Sequence, residues 1–147
     1  MKFWDASAIV PLVVAEEETT SCRILLAEDT EVVVWFLTPV EVYSALNRRL
    51  REGSLKLQDF RKAKERFLLL EKAWSEVISV ERVRDRALRL LENHPLRAAD
   101  ALQLAAAVIV SEDNPRSLPF VTLDSRLGLA VEKEGFPVLG IDLGTHN

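Results

Sequence analysis

The sequence lacks several features that would point to a secreted or membrane protein. It has a single cysteine, Cys22, so an internal disulfide is excluded and a reducing cytoplasm is the expected location. No apolar run approaches the ~20 residues of a membrane-spanning helix, so we expect no membrane partner. We find no internal repeat, low-complexity tract or linker, and therefore expect residues 1–147 to form one domain.

Basic residues are fewer than acidic ones, and they are unevenly distributed along the chain. The formal net charge is -4, which argues weakly against binding to nucleic acid. However, 14 of the 19 Lys and Arg residues lie between Arg48 and Arg97, with only 8 of the 23 acids, so this middle third is net +6. A surface for a polyanion would explain this distribution, and so would solvated helix faces, which composition alone favours.

The distribution of apolar residues predicts an α/β fold in which strands and helices alternate. We predict strands at 2–4, 31–36, 77–80, 119–124 and 138–141. Helices are predicted directly after the first strand and at 19–27, 38–50, 58–74, 83–92, 98–110 and 125–134. Such alternation implies a parallel sheet covered by helices, which binds ligands at the carboxyl ends of its strands.

Four acidic residues occupy positions where a carboxylate is hard to explain by structure alone. Asp5 and Asp124 directly follow strand-like runs, whereas Glu41 and Asp100 lie near the starts of two apolar helical stretches. Carboxylates gathered in one place repel one another, and burial makes that repulsion more costly. A hard divalent cation with oxygen ligands removes both costs. The hypothesis of a metal site therefore requires these four side chains to converge.

Two of these acids also have an ordinary structural explanation at the start of a helix. Asp5 could be a turn or capping residue, although Ser7 is a second candidate cap for the same helix. Glu41 could complete a capping box with Thr38, and this explanation is favoured when Glu41 is considered alone. The metal hypothesis instead makes Asp5 a ligand that the Ser7 hydroxyl supports.

The other two acids differ in how well a structural role explains them. Asp124 could cap the helix that follows it, and Thr122 lies two residues earlier on the same side of the strand. Asp100 is harder to explain, because its neighbours in 98–110 are almost wholly apolar. Burying an unpaired carboxylate costs several kcal/mol. Asp100 therefore needs a partner, which is either Arg97 or a cation.

Four sequence blocks in order resemble the PIN-domain family of metal-dependent ribonucleases, and the resemblance covers essentially the whole chain. The blocks are Asp5-Ala6-Ser7-Ala8, Thr38-Pro39-Val40-Glu41-Val42 with Ala45-Leu46 and Arg48, Arg97 to Ala105, and Val121-Thr122-Leu123-Asp124 with Arg126-Leu127 and Gly135. The most similar group looks like the toxins of VapBC-type toxin–antitoxin pairs. In one departure, Gln103 stands where many members carry His, and we expect no loss of activity from it.

The resemblance implies both a fold and a catalytic site. The fold would be a Rossmann-like three-layer α/β/α sandwich around a central parallel sheet of four to five strands. Asp5, Glu41, Asp100 and Asp124 would bind one or two Mg²⁺ or Mn²⁺ ions and catalyse hydrolysis of RNA phosphodiester bonds. Such an enzyme would have three partners: its RNA substrate, a cognate antitoxin that keeps it silent, and a second copy of itself in a homodimer.

Several residues beside the acids are candidates for supporting roles. Ser7 and Thr122 would support the carboxylates. Arg97 and Arg126 could contact phosphate, or each could fix a carboxylate through a salt bridge. The remaining candidates are three arginines after Glu41, for which we prefer a solvated face over contact with RNA: Arg48, Arg49 and Arg51.

The sequence is also compatible with two other functions. An aspartyl-phosphate phosphotransferase or phosphatase also uses an Asp at the end of a first strand. However, Ser7 stands where haloacid-dehalogenase-type enzymes have a second Asp, and Lys133 is the only lysine after Lys72. An inactive PIN-like scaffold is the second alternative, and the presence of all four acids argues against it.

Overall fold

The computed structural model describes residues 1–144, and within them the fold is built on a five-stranded sheet. The strands are β1 (Lys2–Trp4), β2 (Val32–Trp35), β3 (Ser75–Val77), β4 (Phe120–Val121) and β5 (Val138–Leu139). All neighbouring strands pair in parallel, in the order β3-β2-β1-β4-β5. The predicted α/β class and the parallel sheet of four to five strands are confirmed.

The described part of the chain has seven α-helices between and after these strands. They are α1 (Ala6–Val13), α2 (Thr19–Glu28), α3 (Thr38–Glu52), α4 (Leu57–Ala73), α5 (Val80–Asn93), α6 (Ala98–Val110) and α7 (Ser125–Lys133). A short 3-10 helix, Pro115–Ser117, precedes β4. None of the helices within residues 1–144 combines the length and the apolar character that crossing a membrane requires.

The helices cover both faces of the sheet because successive strand side chains point to opposite sides. Phe3 of β1 belongs to a buried cluster with residues of α5, α6 and α7. Its neighbour Trp4 belongs to a second cluster with residues of α1, α2, α3 and α4. The same alternation separates Phe120 from Val121 in β4. The molecule therefore has three layers, with the sheet in the middle.

The strand order places a topological switch point beside the central strand β1. From β1 the chain continues to β2 and β3 on one side, and it later returns to place β4 and β5 on the other. The Asp5 backbone N–H donates to the Val121 carbonyl oxygen at 3.1 Å, which ties the carboxyl ends of β1 and β4 together. Open α/β sheets bind ligands at such a point. Asp5 and Asp124 both follow these two strand ends.

The predicted strand at 77–80 is wrong in its position. The strand that forms is Ser75–Val77, and α5 already begins at Val80. α4 ends at Ala73 with Trp74 at its C-cap, and the edge strand begins at the next residue. Ile78 and Val80 are 68% and 50% exposed, which shows that their apolar side chains lie on the surface instead of in a buried strand.

Candidate active site

The four predicted acids line one pocket at the carboxyl end of the sheet, with a volume of about 370 Å³. Asp5 follows β1, and Asp124 occupies the cap position of α7. Glu41 and Asp100 lie in the first turns of α3 and α6. A neighbouring pocket of about 320 Å³ shares Asp100 and Asp124 and opens beside the start of α7. The fold therefore brings together all four residues, which are up to 119 positions apart in the chain.

Asp5 is the most deeply buried of the four acids, with 4% of its surface exposed. The Ser7 hydroxyl donates to its Oδ1 at 2.7 Å, and the Thr122 hydroxyl donates to its Oδ2 at 3.1 Å. The pKa of Asp5 is raised to about 7, mainly by burial and in part by the charges of Glu41 and Asp124, although the two hydrogen bonds act to lower it. Without a cation, this carboxyl is therefore only partly ionised near neutral pH.

Ser7 and Thr122 connect Asp5 to the loop after β4. The Ser7 Oγ accepts a hydrogen bond from the Leu123 backbone N–H at 2.9 Å, and the Thr122 Oγ1 accepts one from the Asp124 N–H at 3.0 Å. The prediction that Ser7 caps α1 is wrong. Asp5 occupies that cap position and makes no side-chain cap hydrogen bond. The buried carboxylate and the loop after β4 already engage the Ser7 hydroxyl.

Gly140, directly after β5, lies close to the backbone of Thr122. Its φ of +102° lies in the region that favours glycine, and a Cβ atom there would lie 2.5 Å from the Thr122 carbonyl oxygen. The close approach leaves room for a hydrogen only. The backbone that carries one of the two Asp5 hydrogen-bond donors is therefore packed against a position where no larger residue fits.

Glu41 is held by a glutamine from α6. The Gln103 Nε2 donates to the Glu41 carboxylate and, at 3.0 Å, to the Thr38 Oγ1. Burial raises the pKa of Glu41, the Gln103 hydrogen bond lowers it, and the charge of Asp100 raises it. The predicted capping box is wrong, because Leu37 occupies the cap position of α3 and no side-chain cap hydrogen bond forms. The Thr38 hydroxyl instead accepts from a buried amide that needs acceptors.

Asp100 is partly buried in the first turn of α6, where no basic side chain neutralises it directly. Burial raises its pKa, and the charge of Asp124 adds to this effect. Arg97 and Arg126 act in the opposite direction from a distance. Among residues 1–144, no ion pair within 4.0 Å joins either arginine to an acid. The alternative in which these arginines fix a carboxylate through a salt bridge is therefore wrong.

Asp124 has a structural role in addition to its place in the pocket. Its Oδ1 accepts hydrogen bonds from the backbone N–H groups of Arg126 at 2.9 Å and Leu127 at 3.2 Å. The prediction that Asp124 caps α7 is confirmed. The cap uses one carboxylate oxygen, and within the described residues no hydrogen bond reaches the other. The cap thus holds the side chain at the pocket and leaves one oxygen for a ligand.

Arg48 is a pocket residue that the sequence analysis assigned to a solvated face. It lies seven positions after Glu41, on the same face of α3, and lines the same pocket. Arg49 is turned away and pairs with Glu16 at 2.9 Å, while Arg51 is exposed. Arg48 is exposed, which agrees with the expected solvated face, and its helical spacing from Glu41 is the signal that it also lines the pocket.

Gln103 contributes to the site in a way that was not predicted from the sequence. Apart from Asp100, it is the only polar side chain in α6, and its surface is 1% exposed. A buried amide in an apolar helix requires hydrogen-bond partners. That requirement was the available signal, but it does not identify the partner, which comes from a helix about sixty positions earlier.

The chemistry of this pocket fits a hard divalent cation, although the acids do not already surround a common point. Burial is the largest cause of the raised pKa values of Asp5, Glu41 and Asp100, and the charge of a neighbouring acid raises each of these pKa values as well. A cation would relieve this repulsion. Within residues 1–144, however, no group of three or more His, Cys, Asp or Glu side chains is arranged as a metal-ligand set. Binding would therefore require carboxylates to turn towards the ion.

Comparison with known proteins identifies the family of this fold and site. None of the curated proteins compared with the chain matches it. The crystal structure of PAE2754 from Pyrobaculum aerophilum has the same fold, with a TM-score of 0.61 at 19% sequence identity over 94% of this chain and 88% of that one. The family model described as PIN domain matches residues 2–130, a range that contains all four acids. PIN domains are typically nucleases and usually use divalent metals. Because the model matches most of its length, this chain belongs to the PIN domain family.

Proposed function

We propose that this protein is a metal-dependent endoribonuclease and the toxin of a VapBC-type toxin–antitoxin pair. The observation that carries the proposal is the pocket at the switch point of the sheet. Four carboxylates from four separate segments line it, and among residues 1–144 no basic side chain forms an ion pair with any of them. A structural role accounts for one oxygen of Asp124, but it does not account for the group. Membership in a family of nucleases supports the same conclusion.

The carboxylates would hold one or two Mg²⁺ or Mn²⁺ ions, with Asp5, Glu41 and Asp100 as the main ligands. When bound, the ion would lower the pKa of a water molecule and offset negative charge on the phosphate. Ser7 and Thr122 fix both oxygens of Asp5, so its orientation is set before any ligand arrives. Asp124 would be a further ligand, or its free oxygen would accept a hydrogen bond from the attacking water.

Three arginines around the pocket support a polyanionic substrate such as RNA. Arg48 and Arg97 line the pocket itself, and Arg126 lines its neighbour. None of them is in an ion pair among the described residues, so their guanidinium groups are available to phosphate oxygens. The basic excess of the middle third of the chain would extend this attraction along an RNA strand.

An apolar surface beside the site supports the proposed protein partners. A pocket of about 320 Å³ is lined by Pro39, Val40, Tyr43, Phe67 and Glu71, at the start of the helix that carries Glu41. Val40 is 64% exposed and is contiguous with the apolar residues of this pocket, and such exposed apolar patches commonly contact other proteins. Light scattering of the purified protein tests the homodimer. Co-expression with the reading frame upstream of its gene tests the antitoxin.

Cleavage of total RNA tests the proposed activity. We expect cleavage with Mg²⁺ or Mn²⁺, no cleavage with a chelator, and an Asp5→Asn rate that is lower by about 100-fold or more. Asp85→Asn is the matched control, because Asp85 lies on the exposed face of α5. Unchanged cleavage by Asp5→Asn would contradict the metal site. If the wild-type protein bound no Mn²⁺ at millimolar concentrations, the inactive scaffold would be favoured instead.

A further inference from the structure

The side-chain amide of Gln103 donates two hydrogen bonds, and both acceptors lie in the first turn of α3. Its Nε2 donates to the Thr38 hydroxyl at 3.0 Å and to the Glu41 carboxylate. Thr38 is completely buried and lies one helical turn before Glu41. The amide is therefore anchored at the start of the same helix whose acid it contacts. A glutamate side chain has three rotatable bonds, and this contact selects among their conformations.

Charge determines which end of the amide faces Glu41. An ionised carboxylate only accepts hydrogen bonds, so it attracts the NH₂ group and repels the amide oxygen. The orientation that satisfies Glu41 leaves the Gln103 Oε1 buried, and no described residue donates to it. An unpaired buried oxygen opposes folding. An apolar side chain of similar length would avoid this penalty, but it would leave Thr38 and Glu41 without their donor. The two groups to which the amide donates therefore explain its presence, and of these Glu41 lines the pocket.

We propose that Gln103 is a positioning residue that holds the Glu41 carboxylate in the pocket, ready to bind a divalent cation. This inference rests on the proposed function and deepens it. It assigns to α6 two contributions to the site, Asp100 as a ligand and Gln103 as the support of a ligand from α3. Residues that hold metal ligands commonly change metal affinity by about 10–100-fold when they are replaced.

Mn²⁺ binding by calorimetry tests the assignment without any RNA. Gln103→Met keeps an unbranched side chain and removes both donors, so we expect Mn²⁺ to bind about tenfold or more weakly. The unfolding temperature of the metal-free protein should change by only a few degrees, because removal of the unpaired oxygen offsets part of the loss of the two hydrogen bonds. Asn47→Leu is the matched control. It removes another helix amide, which donates only to the Tyr43 carbonyl oxygen, and should leave Mn²⁺ affinity unchanged.

A second measurement separates positioning from a general loosening of the fold. RNA cleavage by Gln103→Met should be weak at low Mn²⁺ and recover towards the wild-type rate as Mn²⁺ is raised. Damage to the fold would not be repaired by excess metal in this way. If Gln103→Met fails to fold, Thr38→Val removes the anchor of the amide and should also weaken Mn²⁺ binding.

The possible failures are distinguishable. A folded Gln103→Met protein that binds Mn²⁺ as tightly as the wild type would overturn the role of Gln103 and leave the proposed function intact. A wild-type protein that binds no Mn²⁺ and cleaves no RNA would overturn the proposed function, and this inference with it.

Discussion

Replacing Asp5 by asparagine should stabilise the metal-free protein while it abolishes activity. The side chain keeps its size, but the charge that burial disfavours is removed. Ser7 and Thr122 offer hydroxyl groups, which can donate or accept, so an asparagine can bond to both. The opposite signs of the two effects are characteristic of a carboxylate that is present for function.

The pKa of Asp5 sets the magnitude of this stabilisation. A rise from 3.8 to about 7 corresponds to about 4 kcal/mol of unfavourable free energy in the ionised folded state. Weaker hydrogen bonds to a neutral amide offset about 1 kcal/mol of the gain. The Asp5→Asn protein should therefore be more stable by about 3 kcal/mol at about pH 8, which is on the order of 10 °C in unfolding temperature.

The sign of the pH dependence follows from the direction of the same pKa change. Because the folded protein holds the proton more tightly than the unfolded chain, the cost is fully present above about pH 7 and disappears as pH falls towards about 4. The difference between Asp5→Asn and the wild type should thus shrink to less than about 1 kcal/mol at about pH 5. The pKa values of Glu41 and Asp100 are also raised, so these two acids likewise lower the stability of both proteins as pH rises.

Urea unfolding at these two pH values, in the presence of a chelator, measures the effect. Saturating Mn²⁺ provides a second condition, since a ligand at about 100 times its Kd stabilises the folded state by about 2.7 kcal/mol. That gain should be large for the wild type and small for Asp5→Asn. Equal unfolding free energies of the two proteins at both pH values would refute the reasoning, because Asp5 would then have an ordinary pKa.

The remaining predictions separate the roles of individual residues. Asp124→Ser keeps a capping side chain and should lose activity with little loss of stability, whereas Asp124→Ala should also cost about 1 kcal/mol in urea unfolding. Gly140→Ala should destabilise the fold more than Gly53→Ala and reduce cleavage; both positions have positive φ, but only Gly140 approaches a backbone oxygen. Equal losses at the two glycines would contradict this steric argument. Arg48→Ala should raise KM for RNA and reduce the salt dependence of log Kd by about 0.7, while Arg23→Ala, at an exposed position outside the basic middle third, should change neither.

The location of the site could be predicted from the sequence because it depends on a general property of parallel sheets. Their strands end at one edge, so two acids that follow strands must lie near each other once both strands are in the same sheet. Apolar runs identified β1 and β4 well enough for this argument. The argument did not require the exact ends of these two strands to be known.

The hydrogen bonds of individual side chains could not be predicted in the same way, because many of their partners lie far away in the sequence. Thr38 and Ser7 have the sequence context of helix caps, yet each hydroxyl bonds to a buried group from a distant segment. Sequence proximity suggested salt bridges for Arg97 and Arg126, which do not form in the described residues. The Asp124 cap was predictable because its donors lie within three residues.

The central claim is that carboxylates from separate segments bind one cation in common, and anomalous diffraction from a crystal soaked in Mn²⁺ tests it most directly. The account predicts a manganese peak in the pocket, with oxygens of at least three of the four acids about 2–2.6 Å away. A soaked crystal with no peak there, or with a peak that only one of these acids contacts, would contradict it.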